Sequence, residues 1–378
     1  MEKERLLRGG EPIPGVLSLV WNQDVGAAQG PLPGAVATAT LEVQLLADTL
    51  PDLWNTPLEY YRGSRLVGRF TCRGGSCDGP GRFTLTAADA MENFNRDVGD
   101  WLLGHSFPCT AQTLLEDLCA RCQVPLEEGQ TFPGGALSVT QLPAGSVSGT
   151  QLLTWMGQVM GRFFRITPQG NLKADWYPET ADALGGDVAL VQLADGILAD
   201  RWRRPFALRA AMPYQLGSLR SDLLETRPVE RVVIRRSDGA LAAVYPEGDP
   251  SGAHTLILRG NPLLDCQTEM ELYRIAYRLY HQLKDLRYTP MTCTLIPGFW
   301  VEPGSRVRFT DGGGEPRESL VTRVQGKNGC CRLTAPGTGE TAYGEMTPAM
   351  TALLRRLQSA ALQPQSLTLR DATLTEAV

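Results

Sequence analysis

Long apolar runs, excess positive charge and histidine are all scarce in this chain of 378 residues. No stretch of about 18 apolar residues occurs, so we expect no membrane-spanning helix and no membrane anchor. Residues 1–5 lack the basic start and apolar run of a secretion signal, and we expect assembly in a cytoplasm. The net charge is −5, whereas a groove that grips nucleic acid is usually basic. DNA could still pass through an acidic channel without specific binding.

The nine cysteines show no disulfide framework, because the count is odd and no signal sequence precedes them. Cys119 and Cys122 have the spacing of half a zinc site, but no second pair and no histidine pair follow. The segment also reads as a helix, in which cysteine packs as a small apolar residue. We therefore interpret both as buried thiols.

Catalytic patterns are missing as well. The three histidines, His105, His254 and His281, belong to no metal-ligand motif. Residues 145–149 have the wrong spacing for a nucleophile elbow, and residues 312–314 lack the Lys-Ser or Lys-Thr pair of a phosphate loop. The sequence therefore predicts a protein that is not an enzyme, with no catalytic, cofactor-binding or metal-ligating residues.

Residues 1–105 carry the signals of several short strands. Residues 35–46 alternate apolar and polar positions, and Arg62-Gly63-Ser64 separates two short apolar runs. The glycine-rich residues 74–81 are predicted to be a loop between two strands, and residues 89–94 a short helical turn. Several short strands with Gly and Pro between them predict a small barrel or sandwich in this segment.

Residues 106–180 predict an inserted α+β module of two helices and a hairpin. Thr110 is expected to cap a helix over residues 111–121, and Thr150 a second helix with an apolar face. A hairpin follows, with strands at residues 162–167 and 172–177 joined by a Pro-Gln-Gly-Asn turn.

Residues 181–340 return to β signals around one long helix. Hairpins are predicted at Ser237-Asp238-Gly239 and Lys327-Asn328-Gly329, and Asp265 is expected to cap a helix over about 266–287. We predict a second β-rich domain here. Residues 341–378 are predicted to form a C-terminal helix near Met350 to Leu357, followed by a tail.

Several short phrases occur in a characteristic order over roughly residues 35–335. They are Leu85 to Met91, Cys109-Thr110-Ala111, Leu114-Leu115-Glu116, Leu118-Cys119, Phe132 to Gly135, Trp155-Met156-Gly157, Gly161-Arg162-Phe163, Gly170-Asn171-Leu172, Trp176-Tyr177, Gly260 to Leu264, Tyr288-Thr289-Pro290 and Pro303 to Val307. This order resembles the phage tail or baseplate hub proteins of Gram-positive phages and phage-tail-like particles, a family related to late control protein D. The chain departs from that family at Ala88, where an aromatic residue is frequent, and at Ser305, where Asp is usual.

The resemblance implies an α+β, mainly β fold with two tail-tube-like β-barrel domains, residues 1–105 and 181–340, separated by the α+β module, with the long helix in the second barrel domain. It also implies a homotrimeric ring in a virion tail or a contractile injection system, where it would form part of the central conduit. The ring would join a six-fold tail tube protein to a three-fold spike or tip protein, beside other baseplate proteins and a tape-measure protein. Strand edges around residues 35–72 and 291–334 are the expected subunit contacts.

Two other function classes stay open. A tail-associated peptidoglycan hydrolase would degrade cell walls in a zymogram. A glycan-binding or receptor-binding tail module would use exposed aromatic residues such as Trp176 and Tyr177 to stack on sugars, and a glycan array would detect it.

Overall fold

The computed structural model describes residues 4–26, 31–49, 52–143, 145–188, 191–192, 198–199, 212–248, 254–311 and 314–337. The predicted helix near Met350 to Leu357 and the tail after it lie outside the described residues. Within this part of the chain, no helix has the length and apolar character needed to cross a bilayer.

Strands dominate the described chain, with a few helices between them. The strands of the first 90 residues are β1 (Glu4–Arg8), β2 (Glu11–Pro12), β3 (Val16–Asp24), β4 (Val36–Ala37), β5 (Thr40–Leu46), β6 (Pro57–Arg62), β7 (Arg65–Gly79) and β8 (Arg82–Ala88). The middle strands are β9 (Cys109–Thr110), β10 (Ser138–Val139), β11 (Phe163–Ile166), β12 (Leu172–Asp175), β13 (Asp182–Val188), β14 (Val191–Gln192) and β15 (Leu198–Ala199). The later strands are β16 (Met212–Gln215), β17 (Arg220–Ser221), β18 (Arg231–Arg235), β19 (Leu241–Tyr245), β20 (Thr255–Leu258), β21 (Met291–Leu295), β22 (Arg306–Thr310), β23 (Pro316–Leu320), β24 (Arg323–Lys327) and β25 (Cys330–Ala335). The helices are a 3₁₀ helix (Ala90–Asn95), α1 (Gly99–Leu103), α2 (Ala111–Cys122), α3 (Gly149–Met160), α4 (Pro262–Asp265) and α5 (Glu269–Leu283).

One sheet connects the two β-rich ends of the chain. Its strands follow the order β2-β1-β6-β7-β8-β5-β3-β24-β25-β21-β16-β13-β22-β23, and β17 pairs with β21 beside this path. The connection is the antiparallel pairing of β3 with β24, from Asp24 opposite Arg323 to Val20 opposite Lys327. We call this pairing the seam.

The seam changes the predicted architecture. In the described part of the chain no sheet closes on itself, since the path ends at β2 on one side and at β23 on the other. The mainly β prediction is confirmed, but the two closed barrels are not found. Alternation along a strand shows which residues share a face but not which distant strand lies alongside, so the sequence does not reveal β3–β24 pairing. The boundaries at 105, 180 and 340 stay predictions.

Helix α3, in the segment between the two β-rich regions, is linked by hydrogen bonds to α4 and to the long helix α5. Asn261, the N-cap of α4, donates from its side-chain amide to the carbonyl of Trp155 on α3 at 2.9 Å. Gln282 on α5 donates to the carbonyl of Gly161 at 2.7 Å, just after α3 ends. Buried apolar side chains form a single cluster that includes residues of both β-rich regions and of this module.

Some helix starts differ from prediction. Thr110 caps α2 as expected, with its hydroxyl accepting from the amide of Thr113. Ser148, two residues before the predicted Thr150, caps α3. Thr268 caps α5 in a capping box with Glu271, while Asp265 ends α4 and accepts a hydrogen bond from the amide of Ser237 at 2.9 Å. Several Ser, Thr and Asp candidates precede each helix, and the sequence does not choose among them.

The glycine-rich loop prediction is also wrong. Strand β7 continues through Gly79, and Gly74 and Gly75 pair with Thr86 and Leu85 of β8. A Cβ at Gly75 would lie only 2.8 Å from the Leu85 side chain, so glycine permits a close approach here instead of a turn.

Candidate assembly interface

The sheet edges expected at the interface are mostly occupied within the chain. Strands β5, β6 and β7 each have neighbours on both sides, and so do β21, β22, β24 and β25. In the expected ranges 35–72 and 291–334, β23 and the two-residue strand β4 have one neighbour each among the described strands. Most of the hydrogen-bonding edge predicted for subunit contacts is therefore already used.

A cluster of aromatic side chains lies where α5 crosses the three-stranded sheet β19-β18-β20. We call it the tyrosine face, and its members are Tyr245, Tyr273, Tyr277, Tyr280 and His281. The ring of Tyr245 lies 5.5, 5.0 and 5.3 Å from those of Tyr273, Tyr277 and Tyr280, all near edge-to-face. The imidazole of His281 lies 4.3 Å from the Tyr277 ring. Spacings of three and four residues place these α5 side chains together on the helix surface. They lie beside the buried stripe of the helix, which consists of Leu272, Ile275, Ala276, Leu279 and Leu283.

The tyrosine face is open to solvent at its outer rim. Tyr277 is 47% and Tyr273 37% exposed, and Met270 of the same helix and Leu241 of β19 are 61% and 51% exposed. Strand β19 pairs only with β18, so its outer edge carries backbone groups without a strand partner among the described residues. Exposed aromatic area beside an unpaired strand is typical of a protein–protein contact.

A second feature lies where the turn between β6 and β7 meets the loop after β21. This junction pocket has a volume of about 280 Å³. Its lining residues are Arg62, Arg65, Val67, Met212, Gly298, Phe299 and Trp300. The guanidinium of Arg62 lies 4.8 Å from the centre of the Trp300 ring and that of Arg65 lies 6.0 Å from it, so both cations face an aromatic surface.

Carboxylates hold the two arginines in place. Glu4 lies opposite Arg62 in the β1–β6 pair, 3.8 Å from its Nε, and accepts from the Tyr60 hydroxyl at 2.8 Å. Glu302 bridges Arg65, at 2.6 Å, and Arg165, at 3.1 Å. The side chain of Arg62 is only 6% exposed, yet its Nη1 has no hydrogen-bond partner among the described residues.

Two carboxyls have raised pKa values. Asp89 is buried, and burial raises its pKa from 3.8 to about 7, although its oxygens accept from the amides of Ala39 and Met91. Burial also raises the pKa of Asp24 at the seam, against the opposing effect of Arg323. Asp89 accepts hydrogen bonds from backbone amides and Asp24 forms an ion pair with Arg323. Neither carboxyl lines the junction pocket.

The cysteines and histidines that were considered as metal ligands lie in different parts of the fold. Among the described residues, no group of three or more metal-ligating side chains converges. Cys119 and Cys122 are buried on α2, and burial raises the pKa of Cys119 to about 12, which favours the protonated thiol. His105 packs between Trp101 and Phe107 with its Nε2 2.9 Å from Asp117, while His254 is buried, 3.0 Å from Arg227.

Of the two aromatic residues considered for sugar stacking, Tyr177 is buried and Trp176 is half-buried. Tyr177 is 6% exposed, and its ring lies 5.5 Å from that of Phe163, with Trp176 6.2 Å from the same ring. These two residues therefore help fix the end of the β11–β12 hairpin.

Sequence reasoning missed both surfaces. The tyrosine spacing on α5 was visible, but Tyr245 comes from a strand 28 residues before Tyr273 and joins it only in the fold. The junction pocket is lined by residues from β6 and from the loop after β21, and no local sequence pattern predicts that these two segments lie close together.

Solved structures share this fold. The 43 kDa tail protein of prophage MuSo2 from Shewanella oneidensis is 12% identical, with 90% of this chain and 99% of that chain covered and a TM-score of 0.56. A tail protein from Neisseria meningitidis MC58 is 13% identical, with 91% and 99% covered and a TM-score of 0.53. Prophage tail protein gp18 from Listeria monocytogenes EGD-e is 11% identical, with 94% and 99% covered and a TM-score of 0.50.

No protein-family model matches the chain, and no curated protein sequence does either. The resemblance to phage tail proteins is therefore confirmed at the level of fold, while membership of the hub family stays a prediction. The chain has the fold of prophage tail proteins, and the correspondence extends over almost its whole length.

Proposed function

We propose that the chain is a structural subunit of a phage tail or a phage-tail-like particle, located at the baseplate or tail tip. The observation that carries this proposal is the extent of the fold likeness, which covers 90% of this chain and 99% of the MuSo2 tail protein. Proteins with the same fold can differ in function, so the site must also agree.

The surfaces of the molecule agree with a role in assembly. The tyrosine face is rich in a residue type that is enriched at protein interfaces. The two carboxyls with raised pKa values are held by backbone amides or by an arginine within the fold. These features support a protein that acts through shape and contact, and we propose that it is not an enzyme.

The finer proposal is a homotrimeric hub. Three copies of a subunit with two β-rich ends would present six such ends around an axis, which can match a six-fold tube on one side. The same ring would offer three-fold symmetry to a spike or tip protein on the other side. Its centre would form part of the conduit for DNA, with other baseplate proteins and a tape-measure protein as further neighbours.

The mass of the purified protein in solution tests this proposal. For the chain alone, we expect light scattering after size-exclusion chromatography to give three times the chain mass of 41.2 kDa. On coexpression with a tube or spike protein from the same gene cluster, we expect three copies of this chain per complex. A protein that stays monomeric at all concentrations, and also with those partners present, would contradict the hub. Ring-shaped particles of three-fold symmetry in electron micrographs would support it.

A further inference from the structure

The junction pocket contains a buried cation with an unused hydrogen-bond donor. The Nη1 of Arg62 is enclosed and without a partner among the described residues, although the Nε of the same side chain lies near Glu4. Buried donors are nearly always paired, and a charged donor loses more than a neutral one when it is not. Arg62 lines this pocket, so its positive charge lies directly behind the pocket wall, although Nη1 itself is enclosed.

The charges beside the pocket also leave an excess of positive charge. Arg62 pairs separately with Glu4. The ion pairs that connect through Glu302 and Asp175 involve three cations, Arg65, Arg165 and Lys173, and only these two carboxylates. One positive charge in this network therefore has no carboxylate of its own. An additional anion in the pocket would balance the network and would be attracted by it.

The remaining lining is apolar. Val67, Met212, Phe299 and Trp300 supply the aliphatic and aromatic part of the pocket lining. A volume of about 280 Å³ exceeds the share of one water in the liquid, which is about 30 Å³, and so admits a small organic group. A pocket lined by two cationic side chains and by apolar side chains matches an anionic head on an apolar stem.

We propose that the junction pocket binds a carboxylate group carried on a short apolar stem. A carboxylate suits a guanidinium because its two oxygens can accept from the fork of N–H donors. Arg65 would donate to this group from the exposed rim, and the buried positive charge of Arg62 would attract it from behind the pocket wall. This assignment rests on the proposed function: the carboxylate belongs to an acidic side chain of a neighbouring tail subunit. A free small carboxylate is the alternative source of the same chemical group.

Binding of benzoate to the purified full-length chain tests the pocket directly. Isothermal titration calorimetry should detect benzoate binding, whereas benzyl alcohol, a neutral analogue of similar size, should bind far more weakly. Inorganic phosphate as the probe should bind more weakly than benzoate, because it has no apolar part for Trp300 and Val67. Equal affinity for benzoate and benzyl alcohol, or no binding of benzoate, would overturn the proposal.

A matched pair of variants on β7 locates the site. Arg65 and Arg69 have similar exposure, 50% and 53% of the side chain, and each pairs with one glutamate, Glu302 and Glu59. Only Arg65 lines the pocket. We expect Arg65→Gln to weaken benzoate binding at least roughly tenfold, as loss of one charge-assisted hydrogen bond would, and Arg69→Gln to change it less than about twofold.

Glu302→Gln provides a readout in the opposite direction. This change removes the carboxylate that competes for Arg65 and Arg165, so benzoate should bind severalfold more tightly. A purely structural role for the arginine cluster predicts no such gain. Weaker binding in this folded variant would count against the pocket as an anion site.

Assembly of the same variants separates the two sources. If a neighbouring subunit supplies the carboxylate, Arg65→Gln should impair complex formation and benzoate should inhibit it, while Arg69→Gln should assemble normally. If Arg65→Gln loses benzoate binding but assembles like the wild type, a neighbouring subunit does not supply the carboxylate. A free small carboxylate is then the ligand. A wild-type chain that binds benzoate but never assembles would refute the tail function and leave the pocket standing.

Discussion

The contact between the start of β5 and the 3₁₀ helix depends on one residue, Asp89. Its carboxylate accepts from the amide of Ala39 at 3.0 Å and from that of Met91 at 3.1 Å. Burial raises its pKa from 3.8 to about 7, so the folded protein binds this proton more tightly than the unfolded chain does. Between those two pH values the folded state therefore holds more protons, and raising the pH lowers the free energy of unfolding.

We predict that Asp89→Asn flattens this pH dependence. One such group contributes a slope of at most about 1.4 kcal/mol per pH unit between its two pKa values. Urea unfolding of both proteins at pH 5 and pH 7.5 measures the effect. Asp78→Asn is the control, because hydrogen bonds from Thr84 and Ser76 hold the pKa of Asp78 below 3.8, which keeps it ionised across this window. An unchanged slope in Asp89→Asn would refute the assignment.

Helix α5 carries a prediction for assembly at the scale of one element. Tyr277 is 47% exposed and contacts Tyr245 and His281 by ring packing. If a second copy of the chain covers the tyrosine face, a charged side chain at this position would be enclosed without a partner. We predict that Tyr277→Arg weakens self-association at least roughly tenfold, a loss typical of an aromatic interface anchor.

Sedimentation equilibrium of the variant against wild type measures that loss. Arg274→Gln is the control, since residue 274 is also exposed on α5 but lies outside the tyrosine face. Both variants should keep the wild-type circular dichroism spectrum because neither side chain belongs to the buried stripe of the helix. Unchanged association of Tyr277→Arg would show that the tyrosine face does not join copies of this chain.

Elements were predictable where the deciding contacts are local. Asn328 and Gly329 adopt positive φ values of 51° and 77° between β24 and β25, as the Asn-Gly pair predicts. Thr110 caps α2 for an equally local reason. The glycine-rich part of β7 was misread because its conformation is fixed by a full ladder of pairs with β8, and tertiary pairing overrides the turn preference of glycine.

Contacts between distant segments were not predictable. Arg62 and Trp300 line one pocket although 238 positions separate them, and nothing in their local sequence indicates the meeting. The alternation of buried Leu19, Trp21 and Gln23 could have identified β3 as a strand, but its pairing with β24 requires knowledge of the whole fold. The resemblance supplied the fold class that local patterns could not.

At the scale of the whole molecule, the seam should make the two β-rich ends unfold together. Trp21 on β3 is 3% exposed, and its ring centre lies 4.7 Å from that of Trp300, which belongs to the other side of the seam. Gly326 of β24 lies directly opposite Trp21 and leaves room for both rings, because a Cβ there would come 3.3 Å from Trp300. Loss of the Trp21 side chain would therefore leave a cavity between the ends.

We predict that Trp21→Ala lowers the free energy of unfolding by about 3–5 kcal/mol, the usual cost of removing a large buried aromatic side chain. Differential scanning calorimetry should show one transition in wild type and the same single transition at lower temperature in the variant. Trp54→Ala is the control, because Trp54 is 60% exposed and its loss should cost less than about 0.5 kcal/mol. Two separate transitions, with only one moved by Trp21→Ala, would mean that the ends are independent domains that merely touch at the seam.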